Sequence, residues 1–354
     1  MHSMQIVEWG KPLEPRDRPT PKPQGTEVLL KVEACGVCHS DLHIQEGYFD
    51  LGGGNKLELA KLGLKLPHTL GHEIVGEVVA IGPDAAGVKI GDKRVVHPWI
   101  GCGSCETCQR GEELLCNSMR SLGARRDGGY ADHVMVPHPR YLIDYDGLPP
   151  ELACTYTCSG VTAYSALKKL GHLPERDVAV IIGAGGVGLN AVMLAPSVVR
   201  CKVVVADVDA KKREAALAAG AAAAFDNSDP EAVAKVKAIT ASGSGAGGTI
   251  DFVGAPQSAK FGVDVLRRGG TLVIVGLYGG MSPIPLPLFP QRVLTVRGSY
   301  VGDLDDIREL MALVRTGKVA PLPVKTRRLG EINQVLDDLR AGKVLGRIVV
   351  KPDA

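Results

Sequence analysis

Val178-Ala-Val-Ile-Ile182 runs directly into Gly183-Ala-Gly185-Gly-Val-Gly188, and this stretch decides the fold of the second half of the chain. The continuous apolar run is typical of a strand buried on both faces in a parallel sheet. A helical apolar pattern follows through Ala195, and a second strand, Lys202–Ala206, leads to Asp207. A strand, a G-x-G-x-x-G turn, a helix, a strand and an acid about 20 residues further on predict a Rossmann unit that binds a dinucleotide.

The glycine turn predicts how such a cofactor is held. In Gly183-Ala-Gly185-Gly186-Val187-Gly188 the glycines permit a tight turn and close approach of a pyrophosphate, whose charge rests on the helix N-terminus. The carboxylate of Asp207 can accept hydrogen bonds from a ribose 2′-hydroxyl and would repel a 2′-phosphate. The sequence therefore favours NAD over NADP.

Strand and helix patterns alternate beyond this turn. They predict a helix over Ala210–Ala219 and strands over Thr249–Val253 and Thr271–Gly276. Pro196 should kink the first helix or end it early, because proline lacks an amide donor. The proline-rich segment 284–290 is a predicted loop or edge.

The composition limits what the protein can do. The chain has 354 residues, 45% of them hydrophobic, which predicts two domains with sizeable cores. Its net charge is +2 and only 4% of its residues are aromatic, so we expect neither nucleic acid nor membrane as a partner. Met1 to Pro12 lacks a signal-peptide pattern and no apolar run reaches the ~18 residues of a membrane helix, so we expect a cytoplasmic protein.

Nine cysteines, an odd number, favour metal binding over a disulfide framework. Four of them share one segment, Cys102-Gly-Ser-Cys105-Glu-Thr-Cys108 followed by Cys116. Short Cys-x-x-Cys steps aim several thiolates at one centre, and four thiolates close a tetrahedral zinc site, which makes such a site structural. An iron–sulfur cluster and a redox dithiol are the alternatives, and the spacing favours zinc.

Other reactive side chains are concentrated nearer the N-terminus. Cys38-His39-Ser40-Asp41-Leu42-His43 places a thiol, two imidazoles, a hydroxyl and a carboxylate within one short stretch. A thiolate suits zinc, and the groups behind it can move a proton. Gly71-His72-Glu73 can present an imidazole and a carboxylate from a tight turn, although a solvated surface turn has the same pattern. Cys154 and Cys158 lie in a small-residue apolar segment, where a buried inert cysteine is the default.

The region from Met4 to about Val96 is rich in strand and turn patterns. Val28–Val32 and Ile74–Ile81 are predicted strands, and frequent glycines indicate a compact β-rich module. An excursion, Tyr48 to Pro67, interrupts this pattern and contains three successive glycines. We expect a surface loop with a short helix there.

The motifs taken together resemble one family. In chain order they are Gly36-Val-Cys38-His-Ser-Asp-Leu-His43, Gly71-His72-Glu73, the cysteines at 102, 105, 108 and 116, Cys158-x-x-x-Thr162, and the glycine turn at 183–188. The set resembles the zinc-dependent alcohol dehydrogenases of the medium-chain dehydrogenase/reductase superfamily, over essentially the whole chain. The resemblance implies reversible hydride transfer between an alcohol and NAD, giving an aldehyde or ketone.

The family's architecture is α/β. A GroES-like β-barrel catalytic domain accompanies a Rossmann coenzyme domain with a doubly wound parallel sheet. The bounds expected here are 1–159 for the catalytic domain with its zinc sites, 160–300 for the NAD-binding domain, and 301–354 for a C-terminal return to the first domain. A homo-oligomer is expected, with a tetramer favoured over a dimer.

The resemblance also assigns two zinc ions per chain. Cys38, His72 and Cys158 would hold the catalytic zinc, with Glu73 beside it, while Cys102, Cys105, Cys108 and Cys116 would hold the structural one. Ser40 and His43 resemble the family's proton relay, and Asp41 would hold His72 in its ligating orientation.

The remaining implied roles concern cofactor and substrate. His39 and Arg347 would lie near the pyrophosphate, and Lys212 matches the family's second adenosine-ribose contact. Thr162 would pack on the nicotinamide, and Val275 belongs to the segment that binds its carboxamide. Trp99 resembles the aromatic residue that shapes the substrate pocket, which suggests a primary or secondary alcohol with a medium-sized apolar or aromatic group.

Three other functions fit the same scaffold. A polyol dehydrogenase of the sorbitol type stays open, because the motifs do not identify the alcohol. A zinc-free quinone or enoyl reductase is disfavoured, because Cys38, His72 and Cys158 are all present. A non-catalytic binding protein that kept the fold should have lost a ligand or a relay group, and this chain has lost none.

Overall fold

The computed structural model describes residues 1–241 and 243–353. The strands in this part of the chain are β1 (His2–Ile6), β2 (Glu14–Asp17), β3 (Val28–Gly36), β4 (Tyr48–Gly52), β5 (Asn55–Glu58), β6 (His68–Thr69), β7 (Glu73–Ile81), β8 (Lys93–Val96), β9 (His133–Val136), β10 (Leu142–Ile143), β11 (Val178–Ile182), β12 (Lys202–Ala206), β13 (Ala224–Phe225), β14 (Ala246–Asp251), β15 (Leu266–Ile274), β16 (Thr295–Gly298), β17 (Val324–Arg328) and β18 (Arg347–Lys351).

The α-helices lie between and after these strands. They are α1 (His39–Glu46), α2 (Glu106–Gln109), α3 (Pro150–Ala153), α4 (Ser159–Lys168), α5 (Gly186–Val198), α6 (Ala210–Ala218), α7 (Ala232–Ala238), α8 (Pro256–Asp264), α9 (Leu288–Arg292), α10 (Leu304–Arg315) and α11 (Ile332–Arg340). Among the described residues, none of the helices combines the length and apolarity needed to cross a membrane.

The second half of the chain builds a six-stranded parallel sheet in the order β13-β12-β11-β14-β15-β16. This order is that of a Rossmann fold, in which the chain returns to the centre after three strands. Val180 and Ile181 point to opposite faces of β11, and both are fully buried because helices cover both faces of the sheet. The predicted doubly wound sheet is therefore confirmed.

The first half of the chain builds a largely antiparallel seven-stranded sheet, with β3 at its centre. β3 pairs with β7 along its length, with β9 near its start and with β18 at its end. β18 and its parallel neighbour β17 come from the C-terminal segment, so the chain returns to its first sheet. A smaller sheet, β2-β1-β6, completes the enclosure of an apolar core that includes Ile6, Leu30 and Ile74.

The Tyr48–Pro67 excursion differs from our prediction of a loop with a short helix. Tyr48–Gly52 and Asn55–Glu58 pair as an antiparallel hairpin, and this part of the prediction was wrong. Gly52, Gly53 and Gly54 all have left-handed backbone angles, with φ of 79°, 62° and 80°. Glycine adopts this conformation without steric cost, so the three glycines favour a hairpin turn over a helix.

Two further local predictions concern prolines. Helix α5 includes Pro196 and ends two residues later at Val198, which agrees with an early end at the proline. The segment 284–290 is not wholly a loop, since α9 begins at Leu288. This deviation lies at the end of an element, where sequence patterns are least informative.

His97 predicts a measurable pH dependence of stability. It follows the end of β8, and its side chain is 1% exposed. Burial lowers the pKa of His97 from 6.5 to about 3. Between these two values the unfolded chain binds a proton that the folded chain does not, so stability is lost as pH falls. We expect the free energy of unfolding to decrease by about 1.4 kcal/mol per pH unit below 6.5 from this residue alone.

Urea unfolding of wild-type protein and His97→Asn at pH 7.5, 6.5 and 5.5 tests this expectation. Taking the difference between the two proteins removes the contribution of the carboxylates common to both. The difference should be constant above pH 6.5 and should move in favour of the variant below it. A difference that does not change with pH would contradict the assignment.

Candidate active site

Three ligand-type residues from distant parts of the chain meet in one buried group. Cys38 precedes α1, His72 lies between β6 and β7, and Cys158 precedes α4. One ligand atom from each lies within 4.8 Å of the other two, and the exposures of the three residues are 6%, 1% and 5%. The sulfur atoms of Cys38 and Cys158 are 3.9 Å apart. Two thiols and an imidazole are the donor set of an open zinc site, so these residues fit the metal.

The polarity of this group also fits a cation. A hydrogen bond with Cys158 lowers the pKa of the Cys38 thiol, which favours a buried thiolate. His72 Nδ1 lies 3.2 Å from Asp41 Oδ1, and within the described part of the chain neither atom has an aligned hydrogen bond. A carboxylate behind an imidazole fixes the ring that a metal binds on its other nitrogen. The predicted position of Asp41 behind His72 is thus present in the structure.

Ser40 and His43 lie on the first turns of α1, next to this group. Ser40 Oγ donates to Cys38 Sγ at 3.2 Å and lies 3.4 Å from His72 Nε2. The His43 ring is half-buried, with its centroid 5.3 Å from the Phe49 ring and 6.1 Å from the His39 ring. His39 is exposed. The three polar groups therefore extend from the buried centre towards solvent.

Glu73 and Arg347 form a buried ion pair directly behind the same group. The Glu73 carboxylate is fully buried and is held by Arg347 on both oxygens, with Nε 3.1 Å from Oε2 and a shorter contact from Nη2. Ser159 N also donates to Glu73, at 3.3 Å. Among the described residues, the ligand group contains Cys38, His72 and Cys158 without Glu73. Glu73 therefore lies beside the three ligand residues, and Arg347 binds both oxygens of its carboxylate.

Arg347 also reaches the predicted cofactor turn. A Cβ added to Gly186 would lie 3.0 Å from Arg347 Nη1, so the guanidinium stands against the start of α5. Gly183 has φ of 88°, and a Cβ on Gly188 would lie 1.8 Å from Gly183 O. These two positions need glycine for the turn and for the close approach of backbone to backbone. The turn and Arg347 together present backbone amides and a cation to one place.

Asp207 lies where the sequence predicts, directly after β12. Its Oδ2 accepts from Ala184 N at 2.7 Å, and its Oδ1 accepts from Asp209 N at 2.8 Å. The side chain thereby holds the glycine turn and faces the same edge of the sheet. Lys212 follows on α6, and Arg213 donates to Asp207 O at 2.7 Å.

Thr162 and Val275 are the two residues predicted at the nicotinamide. Thr162 lies on α4, one turn after Cys158, and Val275 follows the carboxyl end of β15. Val275 lines a cavity of about 1050 Å³ together with Leu114, Leu115 and Tyr300. The cavity lies between the four-cysteine segment and the carboxyl edge of the parallel sheet.

Trp99 forms an apolar wall beside the ligand group. Its ring centroid is 5.3 Å from that of His72 and 5.7 Å from that of Tyr300, and its Nε1 donates to Thr157 O at 3.0 Å. Val301 belongs to the same buried cluster and has φ of 41°. A β-branched residue in this conformation is a genuine outlier, and such strain concentrates at functional sites.

The four-cysteine segment forms a second ligand group. One atom each from Cys102, Cys105, Cys108 and Cys116 lies within 4.8 Å of the others. Backbone amides of Cys105, Cys102 and Ser118 donate to sulfur atoms of the group, each at 3.3 Å. Amide donors stabilise thiolates, so the group fits a closed zinc site.

Glu113 anchors this segment to the β-rich domain. Its carboxylate is 6% exposed and accepts from Gly101 N at 2.7 Å, from Tyr141 Oη at 2.8 Å and from Arg140 Nη2 at 2.8 Å. Sequence reasoning missed this residue, although its place between two predicted ligands was a usable signal. It also missed Tyr130, whose hydroxyl contacts Asp41 across 89 residues and which no local pattern singles out.

Loss of the four-cysteine site should affect stability more than chemistry. We expect Cys108→Ser to release one zinc ion per chain and lower the melting temperature by about 10 °C, because structural zinc contributes folding free energy. Differential scanning calorimetry with zinc quantification measures both effects. Cys201→Ser, at a buried cysteine outside both ligand groups, is the control. An unchanged melting temperature with one zinc lost would contradict this role.

Both halves of the chain match families of known proteins. Residues 24–146 match the alcohol dehydrogenase GroES-like domain, and residues 186–316 match the zinc-binding dehydrogenase domain. An NAD-dependent alcohol dehydrogenase of Sulfurisphaera tokodaii is 40% identical over 352 residues, which is 99% of this chain and 100% of that protein.

Solved structures agree with these matches. The alcohol dehydrogenase from the archaeon Aeropyrum pernix aligns with a TM-score of 0.90 and 32% identity, over 99% of this chain and 100% of that one. The acetophenone reductase from Geotrichum candidum in complex with NAD aligns with a TM-score of 0.85 and 28% identity, over 99% of this chain and 97% of that one.

Proposed function

This chain belongs to the zinc-dependent alcohol dehydrogenases of the medium-chain dehydrogenase/reductase superfamily, and on that premise we propose how its residues share the reaction. It is a zinc- and NAD-dependent alcohol dehydrogenase with the GroES-like and Rossmann fold predicted from its sequence. The observation that carries the proposed roles is the meeting of Cys38, His72 and Cys158 beside the cofactor turn.

In our proposal Cys38, His72 and Cys158 hold the catalytic zinc, and the four cysteines at 102–116 hold the structural zinc. A zinc site with three protein donors would stay open to the substrate. Zinc bound there supplies the positive charge that favours the ionised form of a substrate hydroxyl. The family's second role for Glu73, occasional ligation, requires its release from Arg347.

The proton leaves through Ser40 and His43. The Ser40 hydroxyl stands within hydrogen-bond distance of both Cys38 Sγ and His72 Nε2, so it is adjacent to the place where the substrate hydroxyl binds. His43 is one turn further along α1 and half-buried, so its imidazole can pass the proton towards solvent.

NAD supplies the hydride acceptor, and this chain's residues position it. The glycine turn at 183–188, Arg347 and the exposed His39 imidazole would hold the pyrophosphate of bound NAD. Asp207 would accept from the adenosine ribose of bound NAD, and Lys212 on α6 would be the second contact to that ribose. Thr162 and Val275 would border the nicotinamide end of bound NAD. Orientation of this kind removes much of the entropic barrier to hydride transfer.

We propose a medium-sized apolar or aromatic alcohol as substrate. Trp99 and Val301 pack with Cys38 and Cys158 in one buried cluster. Leu114 and Met119 pack against this cluster, and the Tyr300 ring lies edge-on to Trp99. A pocket with these walls offers apolar contact and few partners for the additional hydroxyls of a polyol. The similarity to an acetophenone reductase supports an aromatic substrate, such as a 1-arylethanol.

NAD reduction measured at 340 nm across simple alcohols, 1-arylethanols and polyols tests this substrate class. We expect kcat/KM for the aryl or medium-chain alcohols to exceed that for sorbitol by about 10²-fold or more, because a buried hydroxyl without a partner costs roughly 2–3 kcal/mol. Turnover of polyols alone would contradict this substrate class and identify a sorbitol-type polyol dehydrogenase.

We also propose a homo-oligomer, with a tetramer favoured. Strand β16 is exposed along its length at the edge of the parallel sheet, and exposed apolar side chains surround it. They are Tyr278, Met281, Leu286, Val293, Val296 and Tyr300. An unpaired edge strand flanked by exposed apolar side chains favours pairing with a second copy of the chain. Light scattering should give a multiple of the 37.3 kDa chain mass, and a monomer would exclude this interface.

The domain bounds proposed are 1–159, 160–300 and 301–354. Pairing of β18 with β3 supports the assignment of the C-terminal segment to the catalytic domain. A cytoplasmic location is also proposed, because all nine cysteines are free of disulfides and the two ligand groups depend on six of them staying reduced.

A further inference from the structure

We propose that Tyr130 is a positioning residue for the catalytic metal site, acting through Asp41, a role that rests on the proposed ligation by His72. Tyr130 is fully buried and follows two glycines shortly before β9. Its hydroxyl donates to Asp41 Oδ2 at 2.7 Å. None of the roles described above includes this residue.

The two oxygens of the Asp41 carboxylate have different partners. Oδ2 accepts from the Tyr130 hydroxyl and from Cys38 N, the latter at 2.9 Å. Oδ1 lies 3.2 Å from His72 Nδ1. With Oδ2 held by two donors, the carboxylate cannot rotate freely, and Oδ1 stays directed at the imidazole. One carboxylate thus connects the backbone of one metal ligand to the ring of another.

The Tyr130 ring acts on the same ligand from the other side. Gly71, which precedes His72, has φ of 91°, and a Cβ there would lie 2.5 Å from Tyr130 Cδ1. Tyr130 N donates to Leu70 O at 2.9 Å, and Gly129 N donates to Gly71 O at 2.8 Å. The ring therefore packs against the backbone that carries His72, while the hydroxyl holds the carboxylate behind it.

Outer partners of metal-binding histidines have measurable effects. Removing such a partner typically costs about 10- to 100-fold in metal affinity or activity. Tyr130→Phe keeps the ring against Gly71 and deletes only the hydroxyl, so it isolates the contact with Asp41. We expect the variant to release zinc from the Cys38–His72–Cys158 group about 10- to 100-fold faster than the wild type.

Transfer of zinc to a chromogenic chelator measures this release, and the four-cysteine zinc is an internal reference in the same trace. Tyr141→Phe is the matched control, because it deletes another buried phenol hydroxyl that donates to a carboxylate, Glu113, beside the four-cysteine group. Tyr130→Phe should accelerate only the catalytic phase, and Tyr141→Phe only the structural phase.

A double-mutant cycle separates positioning from general destabilisation. In an Asp41→Ala background Tyr130→Phe should have no further effect on zinc release, because its route to the metal is absent. If Asp41→Ala does not fold, cobalt substitution gives a second measurement: Tyr130→Phe should shift the visible bands of the catalytic cobalt and leave those of the four-cysteine cobalt unchanged.

Each outcome has a distinct meaning. Wild-type protein with only one zinc ion per chain would refute the proposed ligand set itself. Two zinc ions with wild-type release in Tyr130→Phe would overturn the role of Tyr130 alone. Acceleration of both phases, or an equal effect in the Asp41→Ala background, would make Tyr130 a structural residue and also overturn it.

Discussion

Replacing Cys38 by Ser or His72 by Ala should lower the rate of NAD reduction by on the order of 10³-fold or more and remove one of the two zinc ions per chain. Polarisation of the substrate oxygen by a metal contributes several kcal/mol, and each 1.4 kcal/mol is about tenfold in rate. The loss should appear in kcat/KM for every alcohol tested, since each depends on the same centre. Steady-state assays with zinc quantified on the same samples measure both effects.

Cys154→Ser provides the matched control for Cys38→Ser. Cys154 is fully buried, lies four residues before Cys158 and belongs to neither ligand group. This variant should keep two zinc ions and wild-type turnover, with at most a loss of stability. Normal turnover in a Cys38 or His72 variant shown to lack the metal would refute the proposed site.

Asp207→Ala should have the second largest effect, on the choice of cofactor. The variant loses a charged hydrogen-bond acceptor for the ribose, worth about 1.5–3 kcal/mol, and the repulsion that excludes a 2′-phosphate. The ratio of kcat/KM with NAD to that with NADP should fall by about 10- to 100-fold. Initial rates with both cofactors at one alcohol concentration measure this ratio.

Asp209→Ala is the control for the loss of a neighbouring carboxylate. Asp209 is another acid two residues further on, and its carboxylate caps α6 by accepting from Lys211 N at 2.8 Å. Its loss should destabilise the helix end by about 1 kcal/mol and leave the cofactor ratio unchanged. Equal ratios in wild type and Asp207→Ala, or equal changes in both variants, would count against the role of Asp207.

The parallel sheet was predictable because its signals are local. Val178–Ile182, Lys202–Ala206 and the glycine turn follow one another closely, and each element has the composition that its burial requires. The two metal-ligand groups were found for a different reason. Cysteine and histidine in short motifs are chemically distinctive, so their types and order pointed to one family before any distance was known.

What the sequence did not predict depends on contacts between distant residues or on backbone conformation. Tyr130 meets Asp41 across 89 residues, and no pattern around either residue indicates the pair. The hairpin at 48–58 was missed because three glycines were interpreted as loop, whereas their left-handed angles form a turn between two strands. Val301 has a positive φ of 41°, which no local sequence pattern indicates.

Zinc-edge anomalous diffraction from crystals of the wild-type protein tests the proposed catalytic centre most directly. We predict two anomalous peaks per chain, one bounded by Cys38, His72 and Cys158 and one bounded by the four cysteines at 102–116. A single peak at the four cysteines, or a second peak held by other residues, would contradict the proposed centre.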